Sequence, residues 1–182
     1  MPKITIYIAL LRGINVGGHK LIKMQELKNV LTNMGLDKVK TYIQSGNVIF
    51  HSERNAEQLE EQMEQEIRNA FGFSVIIILR TASEWERIIN NCPYPVNSLS
   101  EGESVHISLL AKEPSKECIN HLLDYKSEVE QCCIRGREIY LYLQKSIRHS
   151  KLSAQLQKVG VSGTSRNWKT IKKLGTMLNE IQ

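Results

Sequence analysis

The stretch Ile4-Thr5-Ile6-Tyr7-Ile8-Ala9-Leu10-Leu11-Arg12-Gly13-Ile14-Asn15-Val16-Gly17-Gly18-His19-Lys20 decides how the chain is read. Ile4, Ile6, Ile8 and Leu10 alternate with Thr5, Tyr7, Ala9 and Leu11, which is the period of a strand. From Arg12 to Ile22 the connection outruns the roughly two to six residues usual between a strand and a helix. Behind it Met24, Leu27, Leu31 and Met34 recur at helical spacing, and Gly35 stands where a terminating glycine belongs.

Working outward, Val39 to Ile43 reads as a second strand, Ser45-Gly46-Asn47 as a tight turn, and Val48-Ile49-Phe50 as a third strand. Asn55 with Gln58 is a capping-box pair, opening a helix whose inner face carries Leu59, Met63, Ile67 and Ala70. Gly72 closes that helix, and Phe73 to Leu79 reads as an apolar strand. The order β-α-β-β-α-β is that of a ferredoxin-like unit. Thr81 with Glu84 caps a short helix bearing Trp85, Ile88 and Ile89, and the segment from Cys92-Pro93-Tyr94-Pro95 to Glu103 reads as a linker.

The second half repeats the plan without a residue-level repeat. Val105, Ile107 and Leu109 alternate as a strand, and Ser115 opens a helix bearing Ile119, Leu122 and Leu123. Val129 to Ile134 and Glu138 to Leu143 form a hairpin through Arg135-Gly136. Lys151 to Val159 makes a short helix ended by Gly160. The loop Val161 to Ser165 then leads into a final helix running to about Ile181, with no convincing eighth strand. The expected architecture is α+β: a ferredoxin-like subdomain over 1–80, a helix and linker over 81–103, and over 104–182 a second, incomplete or irregular ferredoxin-like subdomain with a C-terminal helix.

Of 182 residues, 41% are hydrophobic and 24% charged, ordinary for a soluble globular protein. No apolar run approaches the ~20 residues that span a bilayer. Ile4 to Leu11 lacks a small-residue cleavage site and ends at Arg12, so a strand is favoured over a signal core. The expectation is a cytoplasmic protein with no membrane partner. Cys92, Cys118, Cys132 and Cys133 include no C-x-x-C pair, so reduced, buried thiols are expected rather than a metal or redox site. His19, His51, His106, His121 and His149 show no ligand spacing, Asp37 and Asp124 are the only aspartates, and no cofactor is expected.

Net charge is +5, unevenly spread. Residues 1–50 carry seven Lys/Arg against two Asp/Glu, residues 51–103 four against ten, and residues 104–182 thirteen against seven. Such asymmetry points to an anionic partner, a small molecule or nucleic acid. Nothing in it specifies an oligomeric state.

Three stretches are candidates for function. In the first, Gly13, Gly17 and Gly18 permit positive φ, so backbone amides could converge on an anion beside Arg12, Asn15, His19 and Lys20. Both the P-loop and the dinucleotide glycine patterns fail here, and a structural loop is the competing reading. In the second, Ser45, Gly46 and Asn47 suit a purely structural turn as well as a binding loop. In the third, Thr164-Ser165-Arg166-Asn167, a hydroxyl at Thr164 or Ser165 suits a helix cap. Arg166 in the first turn would oppose the helix dipole and need an offsetting anion. Trp168, Ile171, Leu174, Leu178 and Ile181 make one apolar stripe, opposite Arg166, Lys169, Lys172 and Lys173.

Leu11-Arg12-Gly13-Ile14-Asn15-Val16-Gly17-Gly18, Thr41-Tyr42-Ile43-Gln44-Ser45-Gly46-Asn47-Val48 and Thr164-Ser165-Arg166-Asn167-Trp168-Lys169-Thr170 resemble, in order, the three characteristic blocks of one bacterial family of uncharacterised proteins. It is catalogued as domain of unknown function 1697. The family usually has Thr where Ser165 stands, which keeps the hydroxyl, and Val where Ile171 stands. The resemblance implies a compact α+β protein of ferredoxin-like subdomains and marks the three blocks as hallmark residues. It implies no established activity.

The leading expectation is therefore binding of an anionic, phosphate-bearing ligand, a nucleotide or RNA. Arg12, Asn15, Gly17 and Gly18 would form the first contacts, with Ser45, Asn47 and Arg166 joining if the loops converge. The rival is an enzyme using Arg12 or Arg166 as electrophile and His19 as acid/base. A third reading is a structural or oligomerisation role.

Overall fold

The computed structural model describes residues 1–182. Its elements run β1 (Thr5–Leu11), α1 (Met24–Asn33), β2 (Asp37–Tyr42), β3 (Asn47–Ser52), α2 (Ala56–Phe71), β4 (Ile77–Thr81), α3 (Ala82–Asn90), β5 (Ser104–Leu110), α4 (Lys116–Leu123), β6 (Glu130–Arg135), β7 (Glu138–Leu143), α5 (Lys151–Gln155), β8 (Gly163–Asn167) and α6 (Trp168–Ile181). The chain forms two compact units, Met1–Arg87 with Lys173–Gln182, and Ile88–Lys172. Each holds one four-stranded antiparallel sheet, ordered β2-β3-β1-β4 and β6-β7-β5-β8. The α+β architecture of two ferredoxin-like units stands.

In the first unit, alternation along β1 sends Tyr7, Ala9 and Leu11 into one core with Leu27 and Leu31 of α1, Leu59, Met63 and Ile67 of α2, Val48 and Phe50 of β3, and Ile77 and Leu79 of β4. Each fully buried side chain of this size stabilises the fold by about 1.5–3 kcal/mol, which makes this cluster the unit's main support. Ile8, Leu10, Ile49 and Ile78, on the opposite face of the sheet, are buried too. Burial on both faces explains why β1 and β4 read as nearly continuous apolar runs.

Local signals set the helix ends. Asn55 Oδ1 accepts from the Gln58 amide at 2.9 Å, completing the capping box of α2, and Gly72 ends it in the left-handed conformation at φ 81°. Thr81 and Glu84 form a second reciprocal box over α3. Ser115 caps α4 and Ser150 caps α5 with a single bond, each Oγ accepting the amide three residues on.

Four details differ from the sequence reading. Ala70 is exposed rather than on the inner face of α2. β4 begins at Ile77, so Phe73 to Ile76 is a loop, with Phe73 stacked on Phe71. An eighth strand exists: Gly163 to Asn167 pairs antiparallel with β5, and the irregularity of the second unit lies in its second helical segment, where α5 is flanked by single 3-10 turns. Finally, the cap of α6 is Asn167, whose Oδ1 accepts from the Thr170 amide at 2.9 Å, and neither Thr164 nor Ser165.

The two units also share a local motif that their sequences conceal. Arg80 and Arg166 are the fourth residues of β4 and β8, opposite Ile8 and Ile107 at the fourth positions of β1 and β5. Each arginine is buried, and each donates from Nη1 to the carbonyl of the residue before it at 2.9 Å. The next residue, Thr81 or Asn167, caps the following helix in both.

Candidate anion-binding cleft at the strand ends

β1 ends at Leu11, β2 ends at Tyr42, β3 begins at Asn47 and β4 begins at Ile77. Antiparallel register puts all four points at one edge of the first sheet, since Leu11 lies opposite Ile77 and Asn47 opposite both Leu10 and Tyr42. The loops 12–23, 43–46 and 72–76 therefore gather at that edge. Main-chain bonds stitch them together: Leu11 N donates to Gly46 O at 2.9 Å, and Arg12 N to Ile76 O at 2.9 Å.

Within the first loop, residues 15–20 form a miniature hairpin. Asn15 N donates to Lys20 O, His19 N donates to Val16 O at 3.0 Å, and Gly17 and Gly18 both have positive φ, at 58° and 76°. Two successive positive φ values are the requirement of a type I′ hairpin turn, so this turn explains both glycines. Asn15, itself at φ 56°, is fully committed. Its Oδ1 accepts from Ile22 N at 2.8 Å, while Nδ2 donates to Ile22 O at 3.0 Å and Gln44 O at 2.8 Å. That side chain closes the base of the hairpin and ties it to the neighbouring turn.

The second block is equally committed. Asn47 is wholly buried, and its Nδ2 donates to Tyr42 O and to Ser45 Oγ at 3.0 Å. A Cβ at Gly46 would stand 2.7 Å from Ile14 Cδ1 and 2.9 Å from Leu11 Cβ, so glycine is required there for close packing as well as for its φ of 86°. The first two blocks meet, and they meet as a loop-bracing network.

Beside that network opens a cleft of about 530 Å³, lined by Arg12, Gly13, Lys20, Glu64, Arg68 and the segment Ser74 to Ile76. Three cations face one carboxylate, and each cation arrives from a different place: Arg12 from the end of β1, Lys20 from the hairpin, Arg68 from the last turn of α2. Ser74 holds two of them, its carbonyl accepting from Lys20 Nζ at 2.9 Å and its Oγ from Arg68 Nε at 3.2 Å. Glu64 Oε1 is occupied by the Ile77 amide at 3.2 Å. The guanidinium and ammonium groups keep further donors, so the cleft presents positive charge and N–H groups. A smaller cleft of about 200 Å³ is lined by Asp37, Glu53 and Arg54 among others, a carboxylate excess unsuited to an anion. No helix of the chain is long and apolar enough to cross a membrane, and no group of three or more His, Cys, Asp or Glu could hold a metal.

A family model described as a protein of unknown function, DUF1697, matches residues 4–140. The chain belongs to that family. No curated protein matches it. Among solved structures it is similar to a conserved bacterial protein, SP0830 from Streptococcus pneumoniae, at 28% identity with a TM-score of 0.74, over 97% of this chain and 99% of that one. An unknown protein from Galdieria sulphuraria aligns over 91% of this chain and 99% of that one, at 11% identity and a TM-score of 0.29.

The family match covers the first two blocks and stops short of the third. In the second unit, Thr164 to Asn167 belongs to β8, so Arg166 precedes the helix and does not oppose its dipole. Its guanidinium donates to Thr164 Oγ1 at 2.8 Å and to Ser165 O, and burial pulls its pKa down to about 10. Trp168 is half-buried, while Ile171, Leu174, Leu178 and Ile181 are buried along α6. His19 is exposed on the hairpin and does not line the cleft. Arg68, Ser74 and Glu64 were not legible as site residues. The signal available was register alone: pairing Leu11 with Ile77 carries the 72–76 loop, and with it the end of α2, to Arg12.

Proposed function

We propose that this protein binds an anionic, phosphate-bearing ligand in the cleft of Arg12, Lys20 and Arg68, and that it does so in the cytoplasm. The observation carrying this reading is the convergence of three cations, from three separate segments, on one concave surface with a single carboxylate, Glu64, whose Oε1 accepts from the Ile77 amide. A phosphate or diphosphate takes several charge-assisted hydrogen bonds at once, and guanidinium forks match its oxygens. The cleft volume falls within the about 300–1,000 Å³ of small-ligand sites, which suits a nucleotide. Single-stranded RNA is the weaker fit, because the aromatic residues nearest this edge, Tyr42 and Phe73, are half-buried and offer bases only partial stacking surface.

Calorimetric titration with pyrophosphate and with ADP, across a salt series, tests the reading. Binding should weaken as salt rises, and Arg12→Gln or Arg68→Gln should each weaken it about tenfold, equivalent to about 1.4 kcal/mol. No binding, or binding indifferent to both substitutions, contradicts it.

A further inference from the structure

The same edge of the first sheet carries a second, independent feature. Eight large hydrophobic residues are exposed over the whole chain, and Val16, Leu21, Ile43 and Ile76 are four of them. All four stand on the gathered loops 12–23, 43–46 and 72–76, at 65%, 66%, 46% and 39% exposure. Isolated exposed aliphatics are normal, but half of the exposed large hydrophobics falling on the loops at one sheet end is a concentration that calls for a partner.

Backbone strain concentrates there as well. Of four non-glycine residues with positive φ, Asn15 (56°), Lys20 (48°) and Ile43 (50°) lie in these loops. Asn tolerates that region, but a β-branched isoleucine does not. Ile43 is not held there by burial, since nearly half its surface faces solvent. A strained residue that presents an apolar side chain to water is costly twice over, and such costs persist at sites where a partner is met.

Charge defines the partner. Arg12, Lys20 and Lys23 accompany the aliphatic residues, and no carboxylate occurs between Arg12 and Gln25 or between Lys38 and Phe50. We propose that this edge docks a protein segment that interleaves aliphatic side chains with carboxylates. A lipid surface complements the same charge, but this edge is not smooth. It is interrupted by the Arg12–Lys20–Arg68 cleft, whose Ser74 and Glu64 fix polar groups in place, and a shaped polypeptide fills such relief where a fluid bilayer does not. The aliphatic half of this surface stands without the anion reading, and the two are separable.

Fluorescence anisotropy on the full chain tests the proposal. The probes are a labelled peptide of alternating Glu and Leu, its Lys-Leu counterpart, and phosphatidylglycerol vesicles. The Glu-Leu peptide should bind saturably and the Lys-Leu peptide should not. Leu21→Ser and Ile43→Asn should each weaken peptide binding at least fivefold while leaving pyrophosphate titration unchanged. Ile43→Asn should also raise Tm by about 2–4 °C, because asparagine accepts the left-handed backbone that isoleucine resists. Equal binding of both peptides, peptide binding unaffected by the two substitutions, a fall in Tm for Ile43→Asn, or vesicle binding abolished by the same substitutions would each overturn it. Peptide binding by a wild-type chain that binds no pyrophosphate leaves this proposal standing and sinks only the anion reading, whereas pyrophosphate binding without Glu-Leu peptide binding sinks this proposal alone.

Discussion

His106 shows how a single residue couples this fold to pH. It lies on β5 opposite Leu141 and Asn167, with Nε2 3.0 Å from Ser104 Oγ, and burial lowers its pKa below the ordinary value. The imidazole therefore folds neutral, and below about pH 6.5 the unfolded chain binds a proton more readily than the folded one. Stability is fully present above that pH and is lost as pH falls through the lower folded value. Thermal unfolding followed between pH 7.5 and pH 5 should show this decline, at most about 1.4 kcal/mol per pH unit from one group. His106→Gln should flatten it, and an unchanged slope would assign the decline to other groups. Cys132 illustrates the same physics in a thiol: buried on β6, its pKa rises to about 11, so it stays protonated and unreactive at neutral pH.

Among elements, the turn between β2 and β3 has the least room for change. Gly46 accepts Leu11 N through its carbonyl, has a positive φ, and leaves no space for a Cβ against Ile14 and Leu11. Gly46→Ala combines left-handed strain with overpacking and should cost about 2 kcal/mol or more, lowering Tm by about 5 °C. Differential scanning calorimetry measures it directly, and a Tm within a degree of wild type would refute the packing account. The glycine loop is the reverse case. Gly17-Gly18 was legible as positive-φ backbone, yet the same two residues serve a phosphate cradle and a type I′ hairpin equally well. Only the Val16–His19 pairing separates the two. β8 escaped notice for a different reason: Gly163-Thr164-Ser165-Arg166-Asn167 has no apolar alternation, and its strand geometry comes from its partner β5. α1, α2 and β1, by contrast, carry their structure in periodicity and caps that need no partner to be read.

At the scale of the whole molecule, the fold was legible and the candidate site only in part. The first β-α-β-β-α-β order was read whole and the second without its last strand, so chain order was enough to see two ferredoxin-like units but not the strand that completes the second sheet. The cleft is a consequence of register. Arg12 and Arg68 are far apart in sequence, on elements whose own periodicity gives no sign that they meet. Asn15, Ser45 and Asn47 spend their polar atoms on that bracing, which leaves Arg12, Lys20 and Arg68 to face outward. We propose that the anion sits among those three cations, where the strand-end loops of the first sheet gather. Amide chemical-shift mapping with pyrophosphate tests this most directly. Saturable shifts at Gly13, Lys20, Ser74 and Ile76, needing about tenfold more pyrophosphate in Arg12→Gln, are the predicted result. Shifts confined to Gly163 to Asn167, or none anywhere, would contradict it.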